Sequence, residues 1–189
     1  MFGPVAESIE TERLLLEPLT VAHAEEMVHV LDDWELHTFT GGEPATLAEL
    51  RSRYNRLVSG PAPYHQEGWL NWIVHLRPPP SAVLHRADLD DPHDLDDQER
   101  AVGPAVGTVE ATVHPGPWAA LAWIIGTEWQ GRGIATEAAR GLVGWLTAHS
   151  VTDLRANIHP GNQASAAVAR KLGLSPTGQC VGGELVWRS

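Results

Sequence analysis

One stretch of this chain, Trp123 to Arg140 (WIIGTEWQGRGIATEAAR), restricts the fold more than any other. Trp123, Ile124 and Ile125 form a short apolar run of strand formers. Gly131 and Gly133 follow, free to take positive φ and to let a ligand come close to the backbone. Ile134, Ala138, Leu142, Trp145 and Leu146 then recur at helical spacing. The stretch reads as strand, glycine turn, helix. Such a turn aims several N–H groups at one point, at the positive end of a helix. That makes an anion site, most often a phosphate site.

The residues narrow which phosphate. A nucleoside-triphosphate loop needs Lys and then Ser or Thr after its last glycine, and Ile134 and Ala135 stand there. A dinucleotide turn needs a third glycine at the position of Thr136, and an acid at the end of the next strand, about 20 residues on. Asp153 has the distance but precedes its strand, LRANI. The pattern that fits is Q/R-x-x-G-x-G/A, carried by Gln130, Gly131, Arg132, Gly133, Ile134 and Ala135. It resembles motif A of the GNAT N-acetyltransferases, whose loop cradles the pyrophosphate of acetyl-CoA. The opening TERLLLEPL is similar to the start of the branch that includes the ribosomal-protein acetyltransferases (RimJ/RimL type). NQASAAVARKLGL, beginning at Asn162, resembles the family segment N-x-x-S…K-L-G-F. The likeness runs from Thr11 to Trp187, apart from an acidic insertion.

The resemblance implies one α/β domain over 1–189, with the GNAT fold. That fold has a mixed, mostly antiparallel central sheet with helices on both faces and a splay between the fourth and fifth strands. Here those two strands are expected at Ala105–Val113 and Ala119–Ile125. The pantetheine arm of acetyl-CoA, the co-substrate, would enter the gap between them. A backbone N–H near Val109 to Ala111 would polarise the thioester carbonyl. Carried over residue by residue, the cofactor-binding set is Val109, Ala111, Trp123, Ile124, Ile125, Gln130, Gly131, Arg132, Gly133, Ile134, Ala135, Thr136, Asn162, Ser165 and Lys171.

Periodicity places the other elements. Leu14 and Leu16 share one face of a strand that Pro18 stops, and Phe2 to Glu10 reads as a loose leader. Thr20 caps a helix with Ala24, Met27, Val28 and Leu31 on one side. Thr46 and Glu49 form a capping box for a helix with Leu47, Leu50, Tyr54 and Leu57 inward. Trp69 to Leu76 is a central strand. Residues 78–104 break the composition with prolines and aspartates and read as a mobile acidic insertion. Its His85 and His93 match no metal-ligand spacing, and no metal is expected.

The formal net charge of −11 argues against nucleic-acid binding, which needs a basic face, and suits cationic substrates or basic partners. The single Cys180 permits no internal disulfide, so a reducing cytoplasm is expected. No apolar run is long enough to span a membrane. The resemblance allows a homodimer.

Chemistry centres on Glu110. Acetylation needs a neutral amine, so an ammonium must first lose a proton. A carboxylate on the fourth strand is a common general base of the family, and Glu110 lies on that strand's polar face with Thr108 and Thr112. Many relatives protonate the leaving thiolate with a Tyr in the helix after Asn162. Ala167, Val168 and Ala169 occupy that region here, so the acid is Ser165 or water, or the thiolate leaves unaided. The acceptor amine, a small molecule or a protein N-terminus, is expected against Asp32, Asp33, Trp34, His37 and Phe39, where carboxylates hold an ammonium and rings cover its carbon skeleton. Two other readings stay open: a non-catalytic acyl-CoA-binding module, and an unrelated nucleotide-binding βα protein.

Overall fold

The structure, a computed structural model, describes residues 3–62, 65–78, 102–116 and 118–189. The acidic insertion expected at 78–104, with His85 and His93, therefore falls outside the described residues from 79 to 101.

Among the described residues the chain builds one sheet in the order β1-β2-β3-β4-β5-β6-β8-β7. The strands are β1 (Ile9–Glu10), β2 (Leu14–Pro18), β3 (Gly68–Leu76), β4 (Ala105–His114), β5 (Trp118–Ile125), β6 (Asp153–Ile158), β7 (Ser175–Val181) and β8 (Glu184–Arg188). Every neighbouring pair is antiparallel except β5 and β6. The helices are α1 (Ala24–Val30), α2 (His37–Thr40, one turn), α3 (Leu47–Ser59), α4 (Ile134–Ala148) and α5 (Gln163–Lys171).

Alternation along β3 splits the core between the two faces. Trp72 and Val74 point one way, towards Ile134, Ala138, Leu142 and Leu146 of α4. Ile73 points the other way, towards Ala24 and Met27 of α1 and Leu50 and Tyr54 of α3. Helices thus cover both faces, as expected. Trp72 is fully buried, and its indole N–H donates to the Glu7 carbonyl at 2.7 Å. Removing its ring would cost about 3–5 kcal/mol.

Local signals set the helix starts. Glu49 N–H donates to the Thr46 hydroxyl, and the Glu49 carboxylate accepts from Thr46 N–H at 2.9 Å. This capping box opens α3 where the sequence predicts it. The leader is not loose: Ile9 and Glu10 pair with Leu16 and Leu15, because Ile9 belongs to the core and Glu7 is held by Trp72.

The splay lies one strand later than expected. Ala105–Val113 and Ala119–Ile125 do not part; β4 and β5 pair from Gly107–Ile125 to His114–Trp118. β5 and β6 are joined by the α4 crossover, and they pair only over Trp118–Ala120 with Asp153–Arg155. Beyond this, Ala156 to Ile158 pair with β8 on the far side, and the second half of β5 stands open. Gly126 N–H donates to the Val106 carbonyl at 2.9 Å, which fixes the alternation. The backbone groups of Ala122 and Ile124 face β4, and those of Trp123 and Ile125 face the opening.

Candidate functional site

The opening between β5 and β6 leads into a cleft of about 360 Å³. Its wall on one side is Trp123, Ile124 and Ile125. Its mouth is the glycine turn and the start of α4, and its other side is α5. Of the residues predicted to hold the cofactor, Trp123, Ile124, Ile125, Gln130, Gly131, Gly133, Ile134, Ala135, Thr136, Asn162, Ser165 and Lys171 converge there.

The turn has the conformation its glycines suggest. Gly131 has φ 73° and Gly133 has φ 80°, with Gly133 at the N-cap of α4. Gln130 closes the turn on the strand, its side-chain amide donating to the Ile125 carbonyl at 2.9 Å. Arg132 does not line the cleft. Its guanidinium lies over the Trp129 ring, and its carbonyl accepts from Arg13 at 3.2 Å. Arg13 also grips Glu137 of α4 through Nε at 2.7 Å, and the Thr11 hydroxyl donates to the same carboxylate at 2.6 Å. Burial pushes the Glu137 carboxyl up, but Thr11 and Arg13 outweigh it and hold it below the usual carboxylate range. A clamp from the segment just before β2 therefore fixes the first turn of α4.

Val109 and Ala111 are not at the site. β4 is paired on both sides, and both side chains are in the core against α4. Their N–H groups belong to the ladder. The backbone groups that face the opening are on β5, at Trp123 and Ile125.

On α5, the Asn162 side-chain oxygen accepts from Ser165 N–H at 3.0 Å and caps the helix. Ser165, Ala167 and Val168 line the cleft, whereas Ala169 is buried beneath.

Glu110 lies outside the cleft's lining, on the sheet face that α1 and α3 cover. It stands opposite Ala122 and so on the same face as Ile124. Burial raises its pKa, and Arg53 opposes the rise. Tyr54 of α3 is close enough for Glu110 to push its phenol up further, on top of burial. A carboxyl shifted towards neutrality suits a group that takes and releases a proton at physiological pH.

The acceptor segment is divided. Phe39 lines the cleft and packs on His159, ring centroids 5.3 Å apart. Asp33 instead caps a short helical turn, accepting from Glu35 N–H at 2.8 Å, and accepts from the Thr127 hydroxyl at 2.5 Å. These bonds, Thr127 first, hold the Asp33 carboxyl below its usual range. Trp34 is 63% exposed, Asp32 lies beside it at the surface, and the His37 ring reaches the Gly41 carbonyl. Glu35, one of the acids of the segment expected to wall the acceptor pocket, lines the cleft, and sequence reasoning missed Leu36, Trp129, Ala164, Ala167 and Val168 as lining residues. The turn capped by Asp33 rotates Glu35 and Leu36 inward, and Asp33 followed by Glu35 was the available signal.

The acetyltransferase (GNAT) domain model matches residues 13–175, and the chain belongs to that family. A GNAT-family acetyltransferase from Bacillus anthracis has the same fold, with a TM-score of 0.69 at 17% identity, covering 97% of this chain and 98% of that one. RimL, described as a ribosomal L7/L12 alpha-N-protein acetyltransferase and solved in complex with coenzyme A, gives 0.69 at 13%, covering 97% of each chain. The acetyltransferase from Salmonella typhimurium that modifies the N-terminal serine of ribosomal protein L7/L12 also gives 0.69 at 13%, covering 97% and 98%. No curated protein matches the sequence.

Proposed function

We propose that this protein is an N-acetyltransferase that moves an acetyl group from acetyl-CoA to a primary amine by direct attack in a ternary complex. The observation that carries the reading is the half-open strand β5, with two positive-φ glycines and the N-terminus of α4 at its mouth. The residues there fit acetyl-CoA. The N–H groups after Gln130 suit the pyrophosphate, Lys171 and Asn162 flank the path inward, and Trp123 and Ile125 offer backbone groups to the pantetheine arm.

Acetyl-CoA supplies an activated acetyl thioester. The chain supplies the rest. Trp123 or Ile125 N–H donates to a carbonyl oxygen placed in the opening, where low dielectric strengthens the bond. Glu110 takes the amine's proton, directly or through water. Ser165, which lines the cleft, or a water beside it, is the proton source for the leaving thiolate. Glu35 and Phe39 hold the acceptor, one for charge and one for carbon skeleton. The net charge of −11 suits a cationic acceptor or a basic protein. The RimL-type neighbours make a protein N-terminus the first acceptor to try. The reading places the work in the cytoplasm, as a monomer or homodimer.

The test is calorimetric titration with acetyl-CoA, CoA, NAD and ATP, followed by turnover on a panel of amines and N-terminal peptides. Selective CoA binding with turnover supports the reading. CoA binding without turnover on any amine points to an acyl-CoA-binding module, and preference for NAD or ATP rejects the site altogether.

A further inference from the structure

A second cluster of chemistry lies on the opposite side of the sheet from α4, away from the cleft. Glu17 is next to last in β2, His23 precedes α1, and His75 lies near the end of β3. One ligand-capable atom from each lies within 4.8 Å of the others. Glu26 of α1 stands next to this group, its carboxylate oxygen 3.7 Å from His75 Nε2.

His75 is the anchor. It is only 3% exposed. Its Nδ1 lies 3.2 Å from the Gly103 carbonyl, which can only accept, so Nδ1 carries the proton. The lone pair is then on Nε2, which is buried, makes no hydrogen bond, and points at the Glu17 carboxylate 3.2 Å away. A backbone carbonyl that orients one imidazole nitrogen and frees the other is the outer-shell support that metal-binding histidines use. The His23 ring stands beside it, centroids 5.8 Å apart. With an ion on Nε2, the His23 proton moves to Nδ1. The Thr20 hydroxyl at 3.3 Å accepts it there, and the Thr20 N–H contact at 3.0 Å is given up.

We propose that Glu17, His23 and His75, with Glu26 as the fourth ligand, form a binding site for a divalent cation of the zinc class. Two imidazoles and two carboxylates suit zinc; calcium and magnesium prefer all-oxygen sets. Tetrahedral bonds of about 2.0–2.1 Å put donor atoms roughly 3.3 Å apart, so donors now up to 4.8 Å apart must close by as much as about 1.5 Å. The site joins β2, β3, the turn before α1 and α1 itself, and its support comes from Gly103 beside β4. A bound ion would therefore act as a structural staple on the acceptor side of the sheet. It is independent of the cleft and of the reaction proposed for it.

The experiment uses tag-free, chelator-treated full chain, titrated with Zn²⁺ by calorimetry and with Co²⁺ by visible absorption. The expected result is one ion per chain, tetrahedral Co²⁺ bands, and a melting temperature that rises with Zn²⁺. Glu17→Gln and His23→Gln, both nearer the surface than His75, should stay folded by circular dichroism and lose roughly 10–100-fold in affinity. Two outcomes overturn the site: no stoichiometric binding of Zn²⁺ or Co²⁺, or binding that both variants leave unchanged.

Discussion

The hydroxyl of Thr127 donates to the carboxylate of Asp33 across 2.5 Å, joining the two loops that border the cleft. One segment carries Glu35 and Leu36 on its helical turn and Phe39 on α2; the other leads through Trp129 and Gln130 into the glycine turn. Asp33 was expected to touch the acceptor, and its oxygens are spent on Thr127 and on Glu35 N–H instead.

That contact predicts a split in the kinetics. Thr127→Val frees the acceptor loop without touching the glycine turn. Acceptor KM should rise several-fold while CoA affinity stays within about twofold. Steady-state kinetics beside CoA titration decides it, and a parallel loss of both would mean that the contact supports the whole site.

Glu110 gives a pH prediction. Burial holds its pKa above the ordinary carboxylate value of about 4.3. The acid limb of kcat/KM should therefore lie above that value. Glu110→Gln should abolish the limb and lower kcat about 100-fold or more at neutral pH. The sign for stability is opposite to that of a salt-bridged acid: a raised carboxyl burdens the folded state when ionised and is relieved as pH falls. The variant should melt no lower than the parent at pH 7. An unchanged pH–rate profile would falsify the catalytic role.

The turn offers a conservative control. Nothing crowds the space where a side chain would start at Gly131, so its φ of 73° is the main constraint. Gly131→Val should destabilise by about 1–2 kcal/mol, whereas Gly131→Asn, which tolerates that conformation, should cost much less. Both should weaken CoA binding if phosphate lies against this backbone. Asn binding CoA as well as glycine would move the phosphate elsewhere.

The clamp on α4 is a stability prediction. Glu137 has its pKa lowered in the folded state, so its contribution is present above the unfolded value of about 4.3 and fades as pH falls through the folded one. Glu137→Gln should cost about 1–2 kcal/mol at pH 7 and much less at pH 3, read from urea melts at both. Equal losses at the two pH values would show that packing, not charge, holds the helix.

Much of this arrangement is legible in the residues. The glycine turn, the starts of α3 and α4 and the alternation of β4 follow from caps and periodicity, which are local. β7 is not legible, because every residue from Ser175 to Val181 is exposed and no apolar alternation marks it. β1 is two residues long and exists only because β2 pairs with it. The opening was assigned one strand early because strand order alone does not reveal which neighbours a hairpin holds and which a crossover lets diverge. Glu17, His23 and His75 are scattered through three elements, and only the sheet brings them together.

The half-paired strand also has a consequence in time. Its first residues sit inside a complete ladder, while Trp123 and Ile125 have amides facing the opening. Without ligand, those two protons should exchange with solvent far faster than Ala122 and Ile124 beside them. A bound pantetheine arm should slow them. The centre of the sheet would then record occupancy as alternate residues that turn from fast to slow.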